Sequence, residues 1–270
     1  MRKIFAYFVL KHGMSSILFE IKDCIGIITL NRPDKLNSFN REMALLMQQR
    51  LDECKKDEIR CVYITGVGKG FCAGQDLTEV TDPDGPSFNV ILSEHYNPIV
   101  TRIRKLEKPV VAAVNGVAAG AGANIALCCD VVVAAESASF IQAFSKLGLI
   151  PDSSGTFVLP RLIGWQKASA LMMLGTKVSA AEAERIGMIY QFFPDETFVE
   201  NSMNIAKYLA QMPTRGLGYT KQLLNTSLST HFEEQLLDEN IFQQRAAETE
   251  DYQEGVKAFM EKRKPNFRGS

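Results

Sequence analysis

The sequence predicts an α/β fold with an all-helical C-terminal region, and three observations carry that prediction. Strand-like and helix-like segments alternate from Arg60 to Glu136, glycine- and alanine-rich turns follow strands at 70–77 and 115–130, and apolar stripes at helical spacing dominate from about residue 195. At 270 residues and 46% hydrophobic, the chain can bury a sizeable core, which excludes general disorder. Lys and Arg total 30 against 31 Asp and Glu, so no global field attracts nucleic acid or an anionic membrane.

The elements follow in order. Residues 1–13 set two basic residues ahead of a short apolar run, like the front of a signal peptide, but no small-residue cleavage site follows. Met14 directly precedes the first strand pattern, so 1–13 reads as an extension, 14–194 as the core and 195–270 as the helical region. Ile17–Lys22 and Ile25–Leu30 are β-rich runs around Asp23-Cys24, predicting a hairpin. Asn40 is the predicted N-cap of a helix reaching about Lys56, with Met43, Ala44, Met47, Leu51 and Cys54 on one face. "RCVYITG" reads as a buried strand, followed by a loop over 67–77, a polar stretch at 81–88 and a helix at about 90–106. Then come strand "PVVAAVNG", a Gly/Ala turn, a helix through Cys128 and strand "DVVVAAE". Such alternation needs crossover connections, hence largely parallel pairing. Ser179 and Glu182 have capping-box spacing. Beyond 195, breaks fall only near Pro213 and Ser229, and Leu223, Leu224, Leu228, Leu236, Leu237, Ile241 and Phe242 form stripes. An isolated appendage cannot bury them, so the region must fold on the core or on a partner subunit.

Six cysteines lie in apolar segments without CxxC pairing, and three histidines are scattered. Both facts point to a reducing, cytoplasmic setting and away from a zinc site. The turn "NGVAAGAGANIALCCD" (115–130) would expose backbone N–H groups near Ala121 beside a helix start, a place for an anion or a developing oxyanion. It fails the dinucleotide fingerprint because Ile125 stands where a third glycine belongs. Close helix–strand packing explains the same small residues equally well. Asp152 stands alone in the apolar stretch "LGLIPDSSGTFVLPRLIG", where it reads either as an acid/base or as the N-cap of the following helix. Two loops with exposed N–H groups and one lone acid together form the parts list for enolate chemistry: two donors for an oxygen and one base for a carbon.

Four segments, "FCAGQDL", "NGVAAGAGANIALCCDVVVAA", "FSKLGLIPDSSGTFVLPRLIG" and "LGTKVSAAEAERIGMI", resemble the crotonase (enoyl-CoA hydratase/isomerase) superfamily, and the likeness spans nearly all of 15–265. It implies a spiral core of repeated ββα units, a C-terminal helical region used in trimer contacts within a homotrimer or dimer of trimers, and acyl-CoA thioester substrates. No cofactor beyond the CoA of the substrate, and no metal, is implied. The resemblance makes the backbone N–H groups of Gln75 and Ala121 an oxyanion hole and Asp152 the single acid/base. It adds Ala73, Asp76, Leu77, Gly120 and Phe144 as substrate contacts, although Asp76, like Asp130, reads equally as a turn-fixing residue. Arg32, Lys35 and Lys262 are candidate partners for the CoA phosphates, or simply solvated cations. The two glutamates of the superfamily's hydratases fall at Asn124 and Phe144, and neither an amide nor a phenyl ring can take a proton from water.

"AGAGAN" with "AFSKLGLIPDSSG" is most similar to isomerases of phenylacetate degradation, which convert the ring-1,2-epoxide of phenylacetyl-CoA to its oxepin and shift enoyl-CoA double bonds. Ser154 stands where that subgroup would carry glycine. A Δ3,Δ2-enoyl-CoA isomerase of fatty-acid oxidation would use the same aspartate, and a non-catalytic acyl-CoA-binding module would need none. Phe88, Phe140, Phe144 and Phe157 are candidates for an aromatic lining, or for core. Phe144, Leu149, Ile150 and Phe157 are expected around Asp152, raising its pKa by desolvation. His95 reads as helix surface or pocket wall, Cys128 and Cys129 as core filling on a helix, and Trp165 as packing.

Overall fold

The computed structural model describes residues 15–270, so the expected extension at 1–13 lies outside the described residues. Strands β1 (Ile17–Lys22) and β2 (Ile25–Leu30) pair antiparallel, Ile17 opposite Leu30, around a two-residue turn in which Asp23 and Cys24 both take positive φ. That conformation matches the right-handed twist of the strands, which is why a two-residue loop suffices. Helix α1 (Arg41–Glu53) begins where the Asn40 side chain accepts the Met43 N–H, and it buries Met43, Ala44, Met47 and Leu51.

From β3 (Cys61–Gly66) the chain winds as a spiral. Strands β3, β5 (Val110–Val114) and β7 (Val131–Ala135) lie side by side in one six-stranded sheet, ordered β1-β2-β3-β5-β7-β10 with β10 at Gln191–Phe193. Each hands the chain to a three-residue strand of a second sheet: β4 (Gly70–Cys72), β6 (Val117–Ala119) and β8 (Ser139–Ile141), closed by β9 (Lys177–Ser179). One strand of every turn thus enters each sheet, and all pairs are parallel except β1–β2 and β8–β9. The expected loops at 67–77 and 115–120 therefore contain strands, and the expected helix at 90–106 is interrupted. It runs as Phe88–Val90, one π turn at Ile91–Tyr96 and Asn97–Lys105.

Ser179 caps the helix at Ala180–Arg185 by accepting the Glu182 N–H, but the Glu182 carboxylate pairs with Arg185. The reciprocal half of the capping box is therefore missing. In the C-terminal region, the helix at Asp195–Ala210 lies against the six-stranded sheet, with Phe198 and Ala206 buried and Ser202 hydrogen-bonded to Tyr63 of β3 at 2.8 Å. The helix at Thr214–Thr226 is pinned by buried Lys221, which donates to the Ile103 carbonyl and pairs with Asp130, each at 2.7 Å. The helix at Phe232–Ala247 buries no residue, whereas the one at Glu250–Met260 is strapped by the last residues of the chain. There Asp251 accepts the N–H groups of Arg268 and Gly269, and Arg60 donates to the Phe267 and Met212 carbonyls. No helix among the described residues is long and apolar enough to cross a membrane.

Candidate active site

The two sheets leave the turns after β4 and β6 side by side. In the first, Phe39 and Gln75 form an isolated parallel bridge: the Phe39 N–H donates to the Gly74 carbonyl at 2.7 Å and the Asp76 N–H donates to the Phe39 carbonyl at 2.8 Å. Extended backbone alternates direction, so the Gln75 N–H between them faces away from Phe39 and has no acceptor among the described residues. Its side chain is braced by the Tyr96 hydroxyl, which donates to Gln75 Oε1 at 2.9 Å, and by donation from Gln75 Nε2 to Glu79 at 2.8 Å. In the second turn Ala121 is the first residue of the short helix Ala121–Leu127, so its N–H has no carbonyl four residues back.

Each donor follows a glycine in a conformation that L-residues avoid, Gly74 at φ +94° and Gly120 at φ +53°. A Cβ on Gly74 would lie 3.0 Å from the Ala119 oxygen and 3.5 Å from the Ala121 nitrogen, so the two loops touch at this point. These turns open onto a cavity of about 370 Å³ whose lining includes Ala73, Gly74, Gln75, Leu77, Phe88, Tyr96, Gly120, Ala121, Phe144, Leu149 and Asp152. Asp152 is the one carboxylate among the described lining residues.

Asp152 is half-buried, and burial holds its carboxyl above the ordinary carboxylate value, opposed by the Ser153 hydroxyl, which donates to Oδ1 at 2.7 Å. It is not a helix cap: the helix Gly155–Ile163 is preceded by Ser154, in the left-handed region and without a side-chain cap. Ser153 and Ser154 take φ of +49° and +68°, so the missing glycine at 154 leaves the turn in the same conformational region at some strain. Tyr96 is fully buried, and burial pushes its phenol well above the ordinary value, so at neutral pH it is a neutral donor.

Of the residues expected at the site, Ala73, Gln75, Leu77, Gly120, Ala121, Phe144 and Asp152 converge on this cavity, and Arg32, Lys35, Asp76 and Lys262 are not among its lining. Asp76 and Arg32 engage each other at 2.8 Å, the carboxylate also accepting the Thr78 N–H, so neither charge is left over. Lys35 and Lys262 are solvent-exposed. Phe140 sits in the core, and Phe157 lines a separate groove, stacked beneath Arg161 at 3.7 Å, so of the four phenylalanines only Phe88 and Phe144 face the cavity. Ile150 is 80% exposed and does not desolvate Asp152; Ala143, Phe144, Leu147 and Leu149 line the wall instead. His95 is buried beside Arg41, neither on the helix surface nor among the cavity lining, and Trp165 is 77% exposed rather than packed within the chain. Tyr96 and Phe39 were missed by sequence reasoning, because neither lies within a turn or motif that signals chemistry.

The family model described as Enoyl-CoA hydratase/isomerase matches residues 20–270. The chain belongs to that family. Within it, the 1,2-epoxyphenylacetyl-CoA isomerase of Escherichia coli is 48% identical over 95% of this chain and 99% of its own length. The 2,3-dehydroadipyl-CoA hydratase of the same organism is 33% identical over 95% of this chain and 100% of its own. The crystal structure of an enoyl-CoA hydratase from Bacillus anthracis superposes with a TM-score of 0.88 at 31% identity, covering 94% of this chain and 100% of that one. The α/β spiral described above is thus the fold of the enoyl-CoA hydratase/isomerase family.

Proposed function

We propose that the chain is an acyl-CoA isomerase acting by enolate chemistry with Asp152 as its single acid/base, and that its substrate is the ring-1,2-epoxide of phenylacetyl-CoA, with double-bond shifting of 3-enoyl-CoA as a second activity. One observation carries this reading: a cavity whose described lining brings together one carboxylate, Asp152, and two residues, Gln75 and Ala121, whose N–H groups have no acceptor among the described residues. The 48% identity to an isomerase supports it. Hydration, which the superfamily performs with two carboxylates, has only Asn124 and Phe144 at those positions.

With the thioester oxygen between the Gln75 and Ala121 N–H groups, ionised Asp152 removes a proton from the α carbon and the electron pair moves onto that oxygen. The donors hold the developing charge, each worth roughly 2.7–4 kcal/mol when aimed at it. Protonated Asp152 then returns the proton to the γ carbon, so the double bond moves into conjugation and the carboxylate is regenerated. For the ring epoxide, which has the same composition as its oxepin, the donors hold the same oxygen while Asp152 assists ring expansion by local proton transfer or charge stabilisation. Phe88, Tyr96 and Phe144 give the cavity the aromatic wall that a ring substrate would stack on.

The reading includes a homotrimer or dimer of trimers, supported by exposed Trp165, Leu224, Phe232 and Leu237, a cytoplasmic setting supported by six free cysteines, and no cofactor beyond CoA. Lys35 and Lys262, both solvent-exposed, remain the proposed phosphate partners. The test is turnover of both thioesters by the wild type and by Asp152→Asn. The expected loss in the variant is about 10²- to 10⁴-fold on each substrate. Unchanged turnover of both would overturn the single-base reading.

A further inference from the structure

We propose that Asn124 is a positioning residue for Asp152, its side-chain amide clamping the backbone of the acid from the helix that also carries Ala121. The proposal rests on the isomerase reading above and goes beyond it. Asn124 is 1% exposed in the otherwise apolar run "AGANIAL", and a buried amide in such a place must be hydrogen-bonded or costly. Its Nδ2 donates to the Asp152 carbonyl at 2.8 Å, and its Oδ1 accepts from Gln142 Nε2 at 2.8 Å. The Asp152 carbonyl receives a second donor, the Gly155 N–H, at 2.8 Å.

The direction of this relay is forced. A carbonyl only accepts, so Asn124 must present its NH₂ to Asp152, its oxygen must face Gln142, and Gln142 must present its NH₂ in turn. Gln142 Oε1 is then left buried without a partner among the described residues, the cost of holding the amide in one orientation. Gly155 makes room for the contact, since a Cβ there would collide with the Asn124 side-chain amide.

The clamp matters because the turn it holds is strained. Ser153 and Ser154, directly after the acid, both take positive φ, and a turn of that kind persists only when its surroundings hold it. With Asn124 on one side of the peptide and the Ser153 hydroxyl on the carboxylate, Asp152 has a fixed aim relative to Ala121, which sits three residues before Asn124 on one helix. Donor and base are thereby kept in mutual register by a single element. The Asp152 carboxyl accepts from the Ser153 hydroxyl and shares its cavity with Tyr96 from the π turn and with the apolar wall of Ala143, Phe144, Leu147 and Leu149.

The experiment compares wild type, Asn124→Asp, Asn124→Ala, Gln142→Leu and Asp152→Asn in kcat, KM and pH profile with a 3-enoyl-CoA, alongside thermal melting. Asn124→Asp keeps the size and can still accept from Gln142, but offers an oxygen to a carbonyl. The expected result is a loss of kcat of about 10- to 100-fold with KM changed by less than about threefold, the range for a misplaced catalytic group. Its acid limb should move to higher pH, because a buried negative charge next to Asp152 opposes ionisation. Asn124→Ala should lose kcat similarly with the acid limb in place, and Gln142→Leu, which unpins the amide, should lose less. Should Asn124→Asp fail to fold, Asn124→Ala and Gln142→Leu carry the test. Full kcat in the folded Asn124 variants, or losses of kcat and melting temperature with an unmoved profile in Asn124→Asp, would overturn the proposal while leaving the isomerase reading intact. An inactive wild type, or a fully active Asp152→Asn, would overturn both.

Discussion

At the scale of single residues, Asp152 balances two opposed needs. A base works best with a pKa near the operating pH, and burial in the apolar wall raises this carboxyl while the Ser153 hydroxyl restrains the rise. In the proposed mechanism Asp152 acts in its ionised form, so the acid limb of kcat/KM should lie above the ordinary carboxylate range, and Ser153→Ala should move it higher still. A limb at the ordinary carboxylate value in both proteins would contradict this. The same raised pKa has a consequence for stability. The folded protein binds this proton more tightly than the unfolded chain does, so the contribution is complete below the unfolded value and is lost as pH rises through the folded one. At neutral pH the ionised group is therefore destabilising. Asp152→Asn should melt above the wild type at pH 7, and the difference should vanish in melts below about pH 4, near the ordinary aspartate value.

At the scale of elements, the site depends on two turns that only glycine adopts comfortably. Gly74→Ala forces an L-residue to φ +94° and sets its Cβ against the Ala119 oxygen, so the Gln75 N–H should lose its aim. We expect kcat to fall by about 10²-fold or more, the order found when one oxyanion donor is removed, with the fold retained by circular dichroism. The Asp23-Cys24 turn offers an independent check: Cys24→Gly supplies the residue that φ +60° favours and should stabilise the protein by about 0.5–1 kcal/mol in urea unfolding, without changing kcat. The elements differed in how legible they were. The β1–β2 hairpin, helix α1 with its Asn40 cap and strands β3, β5 and β7 of the larger sheet were readable, because each of these elements spans five or more residues with a clear apolar pattern, whereas three-residue β10 of the same sheet was not. Strands β4, β6 and β8 were not, since three residues such as Gly70–Cys72 cannot display a period of two. Asp152 stood out as a lone acid, and the donors at Gln75 and Ala121 were placed by family resemblance. The role inferred for Asn124 had a signal, a polar residue inside an apolar helix, but its partners lie 18 and 28 positions away and meet only in the fold.

At the scale of the whole molecule, the spiral explains why one short cavity gathers residues from 73 to 152: successive turns stack β4, β6 and β8, and the loops that follow them open on the same side. The C-terminal helices leave large apolar side chains uncovered within the chain. The helix at Phe232–Ala247 leaves Phe232 and Leu237 exposed, and Trp165 with Met173 does the same on the core. Covering these surfaces by association predicts that sedimentation finds three or six chains per particle. It also predicts that Leu237→Glu lowers that number; a monomer in the wild type would contradict the assembly. The most direct measurement follows the proton itself. A 3-enoyl-CoA carrying deuterium at the α carbon is turned over in ordinary water by wild type and by Asp152→Asn, and the product is read by NMR at the γ carbon. One carboxyl shuttling between the two carbons should leave part of the label at the γ position with the wild type, and the variant should form product about 10²- to 10⁴-fold more slowly. Labelled product formed at the wild-type rate without Asp152 would contradict it.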